Sequence, residues 1–165
     1  MSRFLRITLT LAMCAAAAPA QRSTFYWLTD MGAARAAGHN DFRAGISGGG
    51  EIALPKGFSF GPELGIIAPR YGNFWSSVKG LGALSGYYHV FHGKDVRFDP
   101  FGGVGYSVQF RGDTVNMFHY GGGFNYWAGK DLALRLELRD RLYRTPVPGH
   151  LWTFRIGVAF THLFP

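Results

Sequence analysis

Residues 131–143 read DLALRLELRDRLY, with leucine at 132, 134, 136 and 138 and Ala133, Arg135, Glu137 and Arg139 between them. A helix, with its period of 3.6, would scatter these leucines around its axis. A strand places every second residue on one face. The segment is therefore a strand with one leucine face and one charged face, and any fold for this chain must house both.

Eight segments have strand character: 24–33, 42–54, 58–68, 75–91, 96–110, 117–128, 131–143 and 151–164. Between them, Pro55-Lys56-Gly57, His92-Gly93-Lys94-Asp95 and Gly129-Lys130 read as tight turns. Residues 34–41, 69–74, 111–116 and 144–150 read as longer loops. Short turns at one end and longer loops at the other describe an up-and-down barrel with both termini at the short-turn end. Eight strands is an even number, as single-chain bacterial membrane barrels require. The 24 glycines and 16% aromatics among 165 residues suit many strands joined by turns.

The leucine/charge pattern recurs. In 151–164, Trp152, Phe154, Ile156, Val158, Phe160 and Phe164 oppose Thr153, Arg155, Gly157, Ala159 and Thr161. In 96–110, Val96, Phe98, Val104, Tyr106, Val108 and Phe110 oppose Arg97, Asp99, Gly103, Gly105, Ser107 and Gln109. In 42–54, Ala44, Ile46, Ile52 and Leu54 oppose Arg43, Ser47 and Glu51. In 58–68, Phe58, Phe60, Leu64 and Ile66 oppose Ser59, Gly61 and Glu63. Strands 24–33 and 75–91 give no clean face assignment.

Alternation alone does not say which face looks inward. A soluble barrel turns its apolar face to the core, whereas a membrane barrel turns it to lipid and lines its interior with small, polar and charged residues. Three features favour the second arrangement. The polar faces carry glycine (45, 49, 61, 65, 103, 105, 121, 123 and 157), which weakens a solvated strand but makes room in a narrow interior. The apolar faces carry aromatics near strand ends, namely Trp75, Phe91, Phe110, Phe118, Tyr126 and Trp152, as the girdles at membrane interfaces do. Residues 1–20 have the parts of a cleavable export signal. Arg3 and Arg6 precede the apolar run Ile7–Ala17, Ala18-Pro19-Ala20 offers small residues for cleavage, and Gln21 would begin the mature chain.

That leader holds Cys14, the only cysteine, so residues 21–165 form one barrel domain without disulfides. Removing Arg3 and Arg6 from the formal charge of +7 leaves +5, which suits an anionic membrane surface; an exported chain rarely meets nucleic acid.

Residues 100–106 (PFGGVGY), 121–139 (GGGFNYWAGKDLALRLELR) and the closing GVAFTHLF resemble the eight-stranded outer-membrane barrels of the OmpA/OmpX-like superfamily. The resemblance implies residence in the bacterial outer membrane with periplasmic termini. It also implies contact with membrane lipid and lipopolysaccharide, insertion by the β-barrel assembly machinery, and a monomeric, cofactor-free protein. Val158, Phe160 and Phe164 occupy the alternate apolar positions of the assembly signal. Pro165 follows Phe164, where the superfamily usually ends on the aromatic itself.

The expected fold is thus all-β, an eight-stranded antiparallel up-and-down transmembrane β-barrel. Its polar faces point Arg43, Glu51, Glu63, Arg97, Asp99, Arg135, Glu137, Arg139 and Arg155 into one interior, where charges persist only when paired. These are the candidate functional residues. They would form a plug of salt bridges, or a narrow, mildly anion-favouring path. Two other protein classes share parts of this pattern. A lipid-A- or phospholipid-modifying barrel enzyme would need a serine–histidine pair, but Ser85 and His89 stand about 13 Å apart along one strand. A soluble lipocalin-like binding barrel would leave the glycine- and arginine-rich faces in water. His39, His119, His150 and His162 are dispersed and expected at solvated or interfacial positions, and no metal or catalytic set emerges. Gly123–Lys130 lacks the spacing of a phosphate-binding loop. Arg111-Gly112-Asp113, an adhesion tripeptide in a predicted outer loop, is too short a match to carry an argument.

Overall fold

The computed structural model describes residues 22–36, 39–69, 77–91, 93, 95–111, 113–144 and 148–161. Its eight strands are β1 (Thr24–Ala36), β2 (His39–Ala53), β3 (Phe58–Pro69), β4 (Lys79–His89), β5 (Phe98–Phe110), β6 (Val115–Trp127), β7 (Leu132–Tyr143) and β8 (Gly149–Phe160). Each pairs antiparallel with its sequence neighbours, and β1 pairs with β8, so the sheet closes into an up-and-down barrel. Closure leaves no strand edge unpaired. The expected export signal, Trp75, His92 and Phe164 lie outside the described residues.

At the end that carries residues 22 and 161, β2 and β3 are joined by 54–57. There Pro55–Gly57 makes a single 3-10 turn, with Lys56 and Gly57 at positive φ and Leu54 N–H bonded to Phe58 O at 2.7 Å. The other two connections at this end are 90–97 and 128–131. The connection read as a longer loop over 34–41 is instead tight: β1 and β2 pair out to Ala36 and His39, leaving only 37–38 between them. Paired backbone on both sides of Arg35 and Asn40 overrides the polar composition that suggested a loop. The contrast between short and long ends is correspondingly weaker than the sequence implied.

The leucines of β7 answer the question of faces. Leu132, Leu134 and Leu138 are exposed on the outer wall, while Arg135, Glu137 and Arg139 between them are 0%, 3% and 1% exposed. Exposed apolar side chains such as Phe25, Trp27, Leu64, Val104, Phe154 and Val158 continue this outer surface around the barrel. A water-soluble chain rarely presents so continuous an apolar surface.

Glycine makes the interior wide enough at particular places. Tyr26 faces Gly49, Tyr87 faces Gly103 and His119 faces Gly105 across strand pairs. A Cβ would come within 2.6 Å of the Tyr26 hydroxyl at Gly49, 2.5 Å of the Tyr87 ring at Gly103, and 2.6 Å of His119 Nε2 at Gly105. Each large ring thus occupies the space that its cross-strand glycine leaves free.

A candidate functional site in the barrel interior

The interior is layered. Near the terminal end, Tyr26, Leu28, Trp127, Ala133 and Ala159 pack together; at the opposite end, Ala34, Ile67, Leu81, Met117 and Leu151 form a second apolar cluster. Between them lies a network of buried ions. Five carboxylates (Asp30, Glu51, Glu63, Asp99 and Glu137) meet four guanidiniums (Arg135, Arg139, Arg141 and Arg155).

The network is continuous. Glu51 accepts from Arg135 at 2.6 Å, and Arg135 reaches Glu137 at 3.4 Å. Glu137 also accepts from Arg139 at 2.6 Å and Arg155 at 3.0 Å. Arg139 and Arg155 converge again on Glu63, at 3.2 and 2.8 Å, and Arg141 approaches it at 3.8 Å. Hydroxyls complete the shell. Tyr26 donates to Glu63 at 3.0 Å, Arg139 donates to Tyr87 at 2.9 Å, and Arg155 donates to Ser47 at 2.7 Å. The Arg135 guanidinium also lies 4.5, 5.2 and 4.2 Å from the ring centres of Tyr26, Tyr87 and Phe101. Buried charge survives because nearly every ion has several partners.

The fifth cation is a histidine. His89 lies 2.8 Å from Asp99 through Nδ1 and 3.1 Å from Glu51 through Nε2. Ionised carboxylates only accept hydrogen bonds, so both ring nitrogens donate and the ring is an imidazolium. With His89 charged, this network balances at five of each sign among the described residues.

Of the residues named from sequence, Glu51, Glu63, Asp99, Arg135, Glu137, Arg139 and Arg155 come together here. Arg43 stands apart near the opposite end, half-exposed and bonded to Asp41 at 3.2 Å. Arg97 is corrected: it is exposed and precedes β5, so it leaves the interior set. His119 is also corrected. It is buried inside rather than solvated, held by Ser85 at 2.9 Å and Ser107 at 2.7 Å. Asp30, His89 and Arg141 were missed. Asp30 and His89 sit on the two strands whose faces had no clean pattern, whereas Arg141 merely extends the alternation of Arg135, Glu137 and Arg139.

Ser59, His89 and Asp99 line up as hydroxyl, imidazole and carboxylate, with Ser59 3.2 Å from His89 Nε2. The Ser59 hydroxyl, however, donates to Glu51 at 2.8 Å, and His89 already donates from both nitrogens. The cavity beside His89 and Asp99 is about 20 Å³, room for about one water. The arrangement positions ions and is not set up to activate a nucleophile. Among the described residues, no group of three or more His, Cys, Asp or Glu is placed to hold a metal.

No protein-family model matches the chain, and no curated protein sequence does either. Solved structures do. The N-terminal β-barrel domain of Pseudomonas aeruginosa OprF superposes with a TM-score of 0.58 at 17% identity, covering 86% of this chain and 98% of that one. Neisserial surface protein A gives 0.63 at 13% identity over 85% and 97%. The outer membrane protein OprG of P. aeruginosa gives 0.53 at 11% identity over 87% and 97%. The chain has the closed eight-stranded fold of these small outer-membrane barrels.

Proposed function

We propose that this protein is an integral outer-membrane β-barrel whose interior is closed by its ion-pair network, a structural membrane protein and not an open pore. One observation carries the reading. Arg135, Arg139 and Arg155, joined through Glu137 and braced by Glu51 and Glu63, cross the middle of the barrel without leaving a buried charge alone. The apolar outer wall and the closed backbone ladder support residence in lipid, where every N–H and C=O needs an internal partner. The shared fold of outer-membrane proteins supports the same location. In this reading the termini face the periplasm, Val158, Phe160 and Phe164 are read by the assembly machinery, and membrane lipid and lipopolysaccharide surround a monomer.

The test is conductance of refolded protein in a planar bilayer. Small, rare openings are expected, and a large steady conductance would overturn the sealed interior. Fractionation tests the location separately: the protein should stay with carbonate-washed outer membranes and shift mobility on unheated gels. Recovery in the soluble fraction would end the membrane reading.

A further inference from the structure

At the end opposite the termini the barrel interior widens into a cup of about 200 Å³. Its wall has two unlike halves. On one side stand Arg43 from β2, Lys79 from β4 and Gln109 from β5, followed by Asp113 just before β6. On the other stand Val115 and Met117 from β6, Tyr143 from β7 and Leu151 from β8. These four belong to the apolar cluster at this end, whose buried members separate the cup from the ion network beneath. Tyr143 is seated on its cross-strand partner Gly149, where a Cβ would come within 2.6 Å of the ring. The missing side chain of Gly149 thus sets the ring as a wall of the cup.

The charges of the polar half sort by partner. Arg43 Nε donates to Asp41 at 3.2 Å and Nη1 reaches Gln109 Oε1 at 3.5 Å, so that its charge is already met. Lys79 and Asp113 make no ion pair among the described residues, with each other or with anything else. One cation and one acid are therefore left over in the same cavity. A plain anion bound there would face Asp113, and a plain cation would face Lys79 and Arg43. A zwitterion meets both, with its carboxylate on the cations and its ammonium on the acid. The apolar half needs a side chain to cover it. An apolar cavity of about 150 Å³ holds benzene, so a ring fits here with its polar head towards the mouth. The thioether of Met117 and the ring of Tyr143 both favour an aromatic neighbour.

The geometry points to a binding site for a free α-amino acid with a ring-sized apolar side chain. Lys79 and Arg43 take the carboxylate and Asp113 takes the ammonium, while Val115, Met117, Tyr143 and Leu151 cover the side chain. The ligand is held above the sealed centre and does not pass it. The site needs the closed barrel and not the lipid around it, so it stands apart from the membrane reading.

The experiment titrates L-phenylalanine against the full chain refolded in dodecyl maltoside, followed by saturation-transfer NMR with empty micelles as the blank. Phenylacetate lacks the ammonium, phenethylamine lacks the carboxylate, and glycine lacks the side chain. Phenylalanine should bind saturably and each of the three about tenfold more weakly, for want of one charge-assisted contact or of apolar burial. Lys79→Gln should weaken phenylalanine by about the same factor and leave phenethylamine unchanged. Asp113→Asn should weaken phenylalanine likewise without weakening phenylacetate. A general loss of structure would not produce these opposite selectivities. Phe98→Ala, on the outer wall near the other end, is the control and should change nothing. No saturable binding of phenylalanine, or equal binding of any of the three analogues by the parent chain, would overturn the site. Weaker phenethylamine binding by folded Lys79→Gln would overturn it too. A chain that stays soluble without detergent yet binds phenylalanine would sink the membrane reading and leave this site standing.

Discussion

Arg155 on β8 and Asp30 on β1 face each other across the seam where the barrel closes, with Arg155 Nε 2.5 Å from Asp30 Oδ1 and both side chains buried. The first and last strands are joined by backbone hydrogen bonds and also by a charge pair that continues into Glu63 and Glu137. The same arginine therefore ties closure of the sheet to filling of the interior.

Breaking that pair should weaken the barrel unequally from its two sides. Asp30→Asn leaves Arg155 with Glu63 and Glu137, so the remaining charge still has partners. Arg155→Ala deprives three acids of a cation at once and opens a cavity. Removing one member of a buried pair costs about 3–5 kcal/mol, so Arg155→Ala should reach or exceed that range and Asp30→Asn should fall below it. Urea unfolding in lipid vesicles, followed by tryptophan emission and heat-modifiable gel mobility, measures the difference. An Asp30→Asn loss as large as that of Arg155→Ala would contradict the seam's redundancy.

Glu137 neutralises three guanidiniums, those of Arg135, Arg139 and Arg155. Glu137→Gln should leave the strands in place through their other pairs but give the interior excess positive charge. The expected result is a small current where the parent chain has almost none, selective for anions in the reversal potential under a salt gradient. Cation selectivity, or no change in a folded variant, would show that Glu137 is not what seals the centre.

The glycine–ring pairs predict where a methyl group is tolerated. At Gly105 a Cβ would lie 2.3 Å from Leu84 O and 2.6 Å from His119 Nε2, so backbone and ring must both move. Gly105→Ala should cost about 1–3 kcal/mol, as overpacking does. At Gly82, on the outer wall, the nearest atom to such a Cβ is 3.8 Å away, and Gly82→Ala should be close to neutral. Paired unfolding midpoints of the two variants check this.

The barrel was legible because alternation persists in five of its strands and a one-residue slip would exchange their faces. In β7 the alternation also gave the charged residues of the interior. It was not legible in β1, where Thr24, Tyr26, Leu28 and Asp30 point inward together, mixing apolar and charged types on one face. β4 hides His89 for the same reason, since its inward set includes Leu81, Ser85 and Tyr87. These interior positions are chosen to fill space or match a partner, and neither choice leaves a hydropathy period. Asp140 shows the converse, a polar residue on an apolar face whose partners lie on other strands.

Leu136 sits midway along β7, opposite Phe124 on β6 and Ile156 on β8, whereas Leu132 lies at the strand's start opposite Phe160. If this face meets lipid, a charge here should have a cost that depends on depth. Leu136→Arg should destabilise the barrel in vesicles by about 2–4 kcal/mol, and Leu132→Arg by only about 0–1 kcal/mol. In a soluble barrel both positions would face water and the two arginines would cost equally little. Unfolding free energies of the two variants in one lipid system therefore decide which solvent the leucine strip was built for. Equal, small losses would return this strip to water.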